Sequence, residues 1–214
     1  MAIARQVDKL IQAVEQANSA GELLKAVEVL AEARQEEAIP TLVRVLGYNN
    51  PGAAVAAVEG LIALGDLAVF YLLENLDGYN YGARAWAVRV FAGVGNPRAL
   101  HLLIEAATTD FSLSVRRAAS KGLGFINWSK LSVTEATEGQ KKVIQTLLLV
   151  CQDTEWVVRY AAIVALQNLT ITLNLKDLQL EEILQQLQQT IVNDKELGVS
   201  ARAKFALHSI NLLE

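Results

Sequence analysis

A chain of 214 residues with 52% hydrophobic content and only three prolines has room for one or two ordinary domains and few helix breakers. Its formal charge of -4 argues against a dedicated nucleic-acid binder, which carries a basic excess to neutralise phosphates. A single cysteine, Cys151, excludes an internal disulfide framework and suits a reducing, cytoplasmic setting. No apolar run reaches the ~18 residues of a membrane span, and the first residues read as a polar-faced helix rather than a signal peptide.

Taken in order, apolar periodicity and turn signals predict six helical hairpins. Residues 2–16 pair with 22–34 across Asn18-Ser19-Ala20-Gly21, and 39–46 with 53–64 across a turn ending in Pro51-Gly52. Residues 67–76 pair with 83–94, which stops at Gly95-Asn96-Pro97. The remaining pairs are 98–108 with 113–126, 141–151 with 156–169, and 180–192 with 198–213.

The second helix of each pair carries one recurring stripe. In the fourth pair it is Val115, Ala118, Ala119, Gly122, Leu123 and Ile126, at i, i+3, i+4, i+7, i+8 and i+11. Val158 to Leu169 and Ala83 to Val94 repeat it, and weaker copies begin at Leu23, Ala54 and Val199. Small residues on such a stripe let neighbouring helices approach closely. Copies at this spacing predict an all-α solenoid, one domain over 1–214. Stripe starts are about 30 residues apart until 115, then 43 and 41 apart, which places insertions at 127–139 and 170–179. Both follow a second helix, so both are expected as surface segments on one side.

Arg84, Arg116 and Arg159 each follow a stripe start, with Asp77, Asp110 and Asp153 a few residues before it. The expectation is a structural ladder in which each Asp caps its second helix and receives an Arg from its own or the next repeat. A ligand role for these arginines stays open. Off the stripe, Arg89 and Lys121 share one repeat position and Arg117 and Tyr160 another, flanking the second-helix face. These cations suit a carboxylate-bearing or acidic partner, or are simple solvated charges. Trp86 lies on the stripe and is expected in the core; Tyr81, Leu113 and Trp156, each two before a stripe start, are expected as packing staples. Tyr79 and Trp128 have no repeat explanation and are ligand candidates.

Catalytic patterns are thin. Cys151 has no basic neighbour in sequence to activate it, His101 and His208 stand at no metal-ligand spacing, and no phosphate-binding glycine loop occurs. A self-sufficient hydrolase and a metal site are therefore not expected.

The runs Tyr79-Asn80-Tyr81-Gly82-Ala83-Arg84-Ala85-Trp86-Ala87-Val88-Arg89 and Gly95-Asn96-Pro97-Arg98-Ala99-Leu100, with Ser114 to Trp128, resemble the E/F-type phycobilin lyases, and among them the F-type subunits. The stripes are generic to HEAT-type repeats; the tyrosine-rich run is the more specific part. The resemblance implies a HEAT-type solenoid that pairs with an E-type subunit. Together the pair attaches phycocyanobilin through a thioether to a cysteine of the phycocyanin alpha subunit, and detaches or transfers it. The bilin is then a substrate, with no permanently bound cofactor, no nucleic acid and no membrane span. Arg89, Arg117 and Lys121 are suited to its propionates, and Tyr79, Tyr81, Trp128 and Tyr160 to its rings. A scaffold that binds only protein, a DNA-repair relative, and a lyase that also isomerises its bilin remain as alternatives.

Overall fold

The computed structural model describes residues 2–75, 80–173, 175 and 177–212. Among them the regular structure is helical: α1 (Ala2–Glu15), α2 (Ala20–Glu32), α3 (Ile39–Val45), α4 (Pro51–Leu64), α5 (Asp66–Asn75) and α6 (Tyr81–Val94). Then follow α7 (Leu100–Thr109), α8 (Leu113–Leu123), α9 (Val133–Val150), α10 (Trp156–Leu173), α11 (Asp177–Asn193) and α12 (Leu197–Asn211). The chain divides into two compact units, Met1–Val94 and Gly95–Glu214.

Within the N-terminal unit α2, α4 and α6 lie side by side, with α1, α3 and α5 packed against them. The C-terminal unit repeats the plan with α8, α10 and α12 in one layer and α7, α9 and α11 in the other. The stripes are what each layer shares. Val158, Ala161, Ala162, Ala165, Leu166 and Leu169 of α10 are all buried, and Leu103, Leu147 and Leu187 meet this core from the other layer. Small residues bring backbones together: a Cβ at Gly60 would lie 2.6 Å from the Ala31 Cβ, and one at Gly124 2.5 Å from the Ala165 Cα. The Gly124 carbonyl accepts from Asn168 Nδ2 at 2.7 Å, which ties the end of α8 to α10.

Among the described helices α10 is long and apolar enough to cross a membrane by length and composition, although Arg159, Gln167 and Asn168 interrupt its apolar run. In this fold it is the middle helix of its layer, packed between α8 and α12.

The two expected insertions are mostly helix. Ser132 and Glu135 form a capping box that starts α9 at Val133 instead of near 141, leaving a short 3-10 turn at Trp128–Lys130. In the second, Thr170 and Thr172 bond back to the carbonyls of Leu166 and Asn168, and α10 runs on to Leu173. The extra residues lengthen α9, α10 and α11 rather than leaving as loops. Helix α8 is shorter than expected and ends at a C-cap on Gly124.

The Arg–Asp ladder is present in the C-terminal unit, with its direction reversed. Arg116 Nε and Nη2 donate to Asp153 at 2.7 and 3.0 Å, while Nη1 donates to the Asp110 and Phe111 carbonyls at 2.9 and 3.2 Å. Arg159 repeats this on Asp194 at 2.7 and 2.8 Å, with Nη1 on the carbonyls of Asp153 and Thr154. Asp153 and Asp194 thus each receive the Arg of the preceding repeat. The aspartates also cap their own turns rather than their helices: Asp110, Asp153 and Asp194 accept from the backbone N–H two residues on. Asp77 lies outside the described residues, and Arg84 is exposed.

In the N-terminal unit the second helices are capped by neutral side chains. Ser19, Asn50 and Asn80 cap α2, α4 and α6 through the N–H groups of Glu22, Ala53 and Ala83, and Asn50 Nδ2 reaches back to the Ala20 carbonyl at 3.0 Å.

Two stability predictions follow from this packing. G124A places a methyl against the α10 backbone and should cost about 1–3 kcal/mol in urea denaturation; an unchanged midpoint would show that α8 and α10 have slack there. The Arg159 hydrogen bond, opposed by burial, holds Asp194 below its ordinary value of 3.8. Burial pushes the Asp153 carboxyl up, but the Arg116 and Glu155 hydrogen bonds leave it lowered as well. Carboxylates depressed in the folded state stabilise it fully above their unfolded value and lose that contribution as pH falls through the folded one. The wild-type chain should therefore lose stability from about pH 4 downward. D194N should be about 3 kcal/mol less stable at neutral pH and show a shallower acid fall, because Arg159 keeps its burial without its counter-charge.

Candidate functional site

The exposed face of α8, α10 and α12 is where the expected cations and rings of the C-terminal unit gather. Arg117 and Lys121 are exposed one turn apart on α8, and neither carries an ion pair among the described residues. Tyr160 occupies the Arg117 repeat position on the adjacent α10 and is 39% exposed. Stacked second helices are about 8–10 Å apart, so these side chains share one surface.

Arg202 belongs to the same face and was missed in the sequence reading. It stands at the stripe position held by Ala118 and Ala161 in the two preceding helices, yet its guanidinium is only half-buried. Its Nη2 donates to Gln167 Oε1, and its Cζ lies 6.0 Å from the Tyr160 ring centre and 5.1 Å from that of Phe205. An arginine where other copies hold alanine was the available signal.

The N-terminal unit presents a related pairing on α6. Trp86 is not in the core: it is half-exposed, with Arg89 Cζ 4.2 Å above its ring. Residues three apart share one helix face, which makes this stacking possible. Tyr81 is half-buried as the first residue of α6, and Tyr79 lies outside the described residues.

Two further expectations change. Leu113 and Trp156 are exposed, so they are not packing staples. They are the first helical residues of α8 and α10, one place beyond the N-cap, whereas a staple precedes the cap. Trp128 gains a packing explanation: a Cβ at Gly139 of α9 would lie 2.8 Å from its ring, beside Leu100 of α7. One side of this half-exposed indole is thus committed to the opposite layer from Arg117 and Tyr160.

Residues 69–167 match the HEAT-repeat family. The chain is 61% identical over 164 residues to the phycocyanin alpha phycocyanobilin lyase CpcF of Synechocystis sp. PCC 6803, covering 77% of each chain. It is 48% identical to the phycocyanobilin lyase subunit beta of Nostoc sp. PCC 7120, over 93% of this chain and 98% of that one. This chain belongs to the F-type phycobilin lyase subunits. A solved structure, the complex of CpcE and CpcF of phycocyanin lyase from Nostoc sp. PCC 7120, matches with TM-score 0.73 and 49% identity, over 80% of this chain and 99% of that one. The all-α helical-repeat fold expected from the stripes is that of the family.

The chain's internal thiol is notable for its inaccessibility. Cys151 caps the end of α9 and is buried. Burial pushes its pKa up to about 12, with Arg159 acting weakly the other way and Asp194 adding to the rise. It is therefore a neutral thiol at physiological pH, without nucleophilic character. Among the described residues no group of histidine, cysteine and carboxylates is arranged to hold a metal.

Iodoacetamide at pH 8 should leave the folded chain unlabelled over the time in which the urea-unfolded chain reacts completely. Rapid native labelling, read by intact mass, would contradict the buried neutral thiol.

Proposed function

We propose that this chain is the F-type subunit of a heterodimeric bilin lyase. With an E-type subunit it attaches phycocyanobilin to a cysteine of the phycocyanin alpha subunit through a thioether bond, and removes or transfers the pigment. The observation that carries this is the 61% identity to a phycocyanin alpha phycocyanobilin lyase. The likeness at 49% identity to the lyase subunit solved in a CpcE–CpcF complex supports the E-type partner.

The chemistry assigned to the chain is positioning. Sulfur of the substrate cysteine adds to the ethylidene carbon of the pigment while a proton is delivered to the tetrapyrrole. The thiol comes from the substrate protein, consistent with a Cys151 that is buried and neutral. What the chain contributes is a surface that fixes the bilin against that thiol, since holding reactants in register removes most of the entropic barrier. Arg117 and Lys121 supply positive charge to the propionates without carboxylates of their own to displace, and Tyr160 supplies an aromatic border. Within the N-terminal unit, Arg89 with Trp86 and the nearby Tyr81 are candidate contacts of that unit's own. The setting is cytoplasmic, where a reduced substrate thiol is available.

Co-expression of this chain with the E-type subunit, phycocyanobilin and the phycocyanin alpha subunit, omitting one component at a time, tests the reading. Zinc-induced fluorescence of the substrate band in a denaturing gel should require this chain. The double variant R117Q/K121Q should slow labelling about tenfold, and C151A should label at the wild-type rate. Equal labelling without this chain would leave only the fold; full activity of R117Q/K121Q would remove the α8 cations from the site.

A further inference from the structure

The seam between α10 and α12 holds a cation whose surroundings differ from every other arginine rung in the C-terminal unit. Arg116 and Arg159 each fork onto a carboxylate. Arg202, also half-buried, meets only neutral groups among the described residues: the Gln167 side-chain carbonyl, the Tyr160 ring and the Phe205 ring. Burial pushes its guanidinium down from the ordinary value, with Tyr160 acting the other way.

Two features give this arrangement a direction. The hydrogen bond to Gln167 uses Nη2, so Nε and Nη1 have no acceptor among the described residues. A guanidinium offers donors in a planar fork that matches a carboxylate, and a partly desolvated cation gains most from an anion that arrives with its own apolar surface. That surface has a counterpart here, because Phe205 is 60% exposed and Tyr160 39% exposed beside the same guanidinium. Gln167 is itself buried and fixes the guanidinium from behind, so the group is pre-ordered. A lone acidic side chain from a protein would use the fork and leave both rings idle. A conjugated, carboxylate-bearing ligand uses all three.

We propose that Arg202, flanked by Tyr160 and Phe205, is the anchor for one propionate of the bilin, with the two rings bordering the adjoining pyrrole. The assignment rests on the lyase reading above and adds to it a binding residue on α12.

The test uses the assembled complex of the full chain with its E-type subunit and titrates it with phycocyanobilin, as free acid and as dimethyl ester, by absorbance and tryptophan quenching. Free acid should bind the wild-type complex about ten- to a hundredfold more tightly than it binds R202Q. The ester should bind wild type and R202Q alike, no more tightly than the acid binds R202Q, and R202K should recover part of the difference for the acid. The R202Q chain should still assemble and melt no lower than wild type, since it loses an unpaired cation. Equal affinity of acid and ester for the wild-type complex would overturn the anchor without any mutant. So would unchanged acid binding by R202Q, or an R202Q chain that binds pigment normally but releases the E-type subunit, which would assign the anion to a protein carboxylate. A wild-type complex that takes up no pigment would remove the lyase reading itself.

Discussion

Close approach of the second helices is the constraint on which the rest of each unit depends. A helix hairpin cannot bury its apolar stripe alone, so it must lie against its neighbours, and how near it lies is set by the smallest side chains at the crossing. At Gly60 over Ala31 and Gly124 over Ala165 the backbones are almost in contact. That spacing fixes the register of everything on the outward faces. Arg117 and Tyr160 share a surface because Val115 and Val158 are buried in equivalent places, not because either residue seeks the other. The outward face of the second helices is thus a by-product of the packing face, offset from it around the same helices.

The two units solve the problem of their turns with different chemistry. Hydroxyl and amide side chains cap the second helices of the N-terminal unit, and one amide also reaches the preceding turn. In the C-terminal unit the turns are held by charge, with each guanidinium bonding two carbonyls of its own turn and a carboxylate of the next. Hydrogen bonds of ionised partners are shorter and stronger than neutral ones, and here both oxygens of each carboxylate are used. Arg116 and Arg159 are fully engaged in these bonds, whereas Arg117, Lys121 and Arg202 have no carboxylate partner among the described residues.

Periodicity made the hairpins and their buried stripes legible, and the recurrence of Asp and Arg made the ladder legible as a ladder. Its direction was not, because whether Arg116 turns to the hairpin before or after it depends on side-chain geometry across 37 residues of sequence. The helical character of the expected insertions was written in Ser132 and Glu135, a local signal outweighed by comparison with shorter repeats. Trp86 and Arg202 show the limit of the stripe as a guide. Both stand at the i+3 position where α8 and α10 carry alanine, and both side chains leave the core edge to meet a partner at i+3 on their own helix, Arg89 and Phe205. Position in the repeat told where the backbone would be, while size and charge decided where the side chain went. The charge environment of Arg202 depends on Gln167, 35 residues away, and no linear pattern joins them.

The ladder also has an end. Where Arg116 and Arg159 stand, α12 carries Ser200, whose hydroxyl bonds to the Ile191 carbonyl inside its own hairpin at 2.9 Å. Asp194 receives a guanidinium, and nothing is passed onward. A modular array of this kind grows by duplication only as long as each module offers its successor a grip. Ser200 makes no such offer: the α11–α12 hairpin completes the bonds of the repeat before it, and at this position its own side chain turns inward.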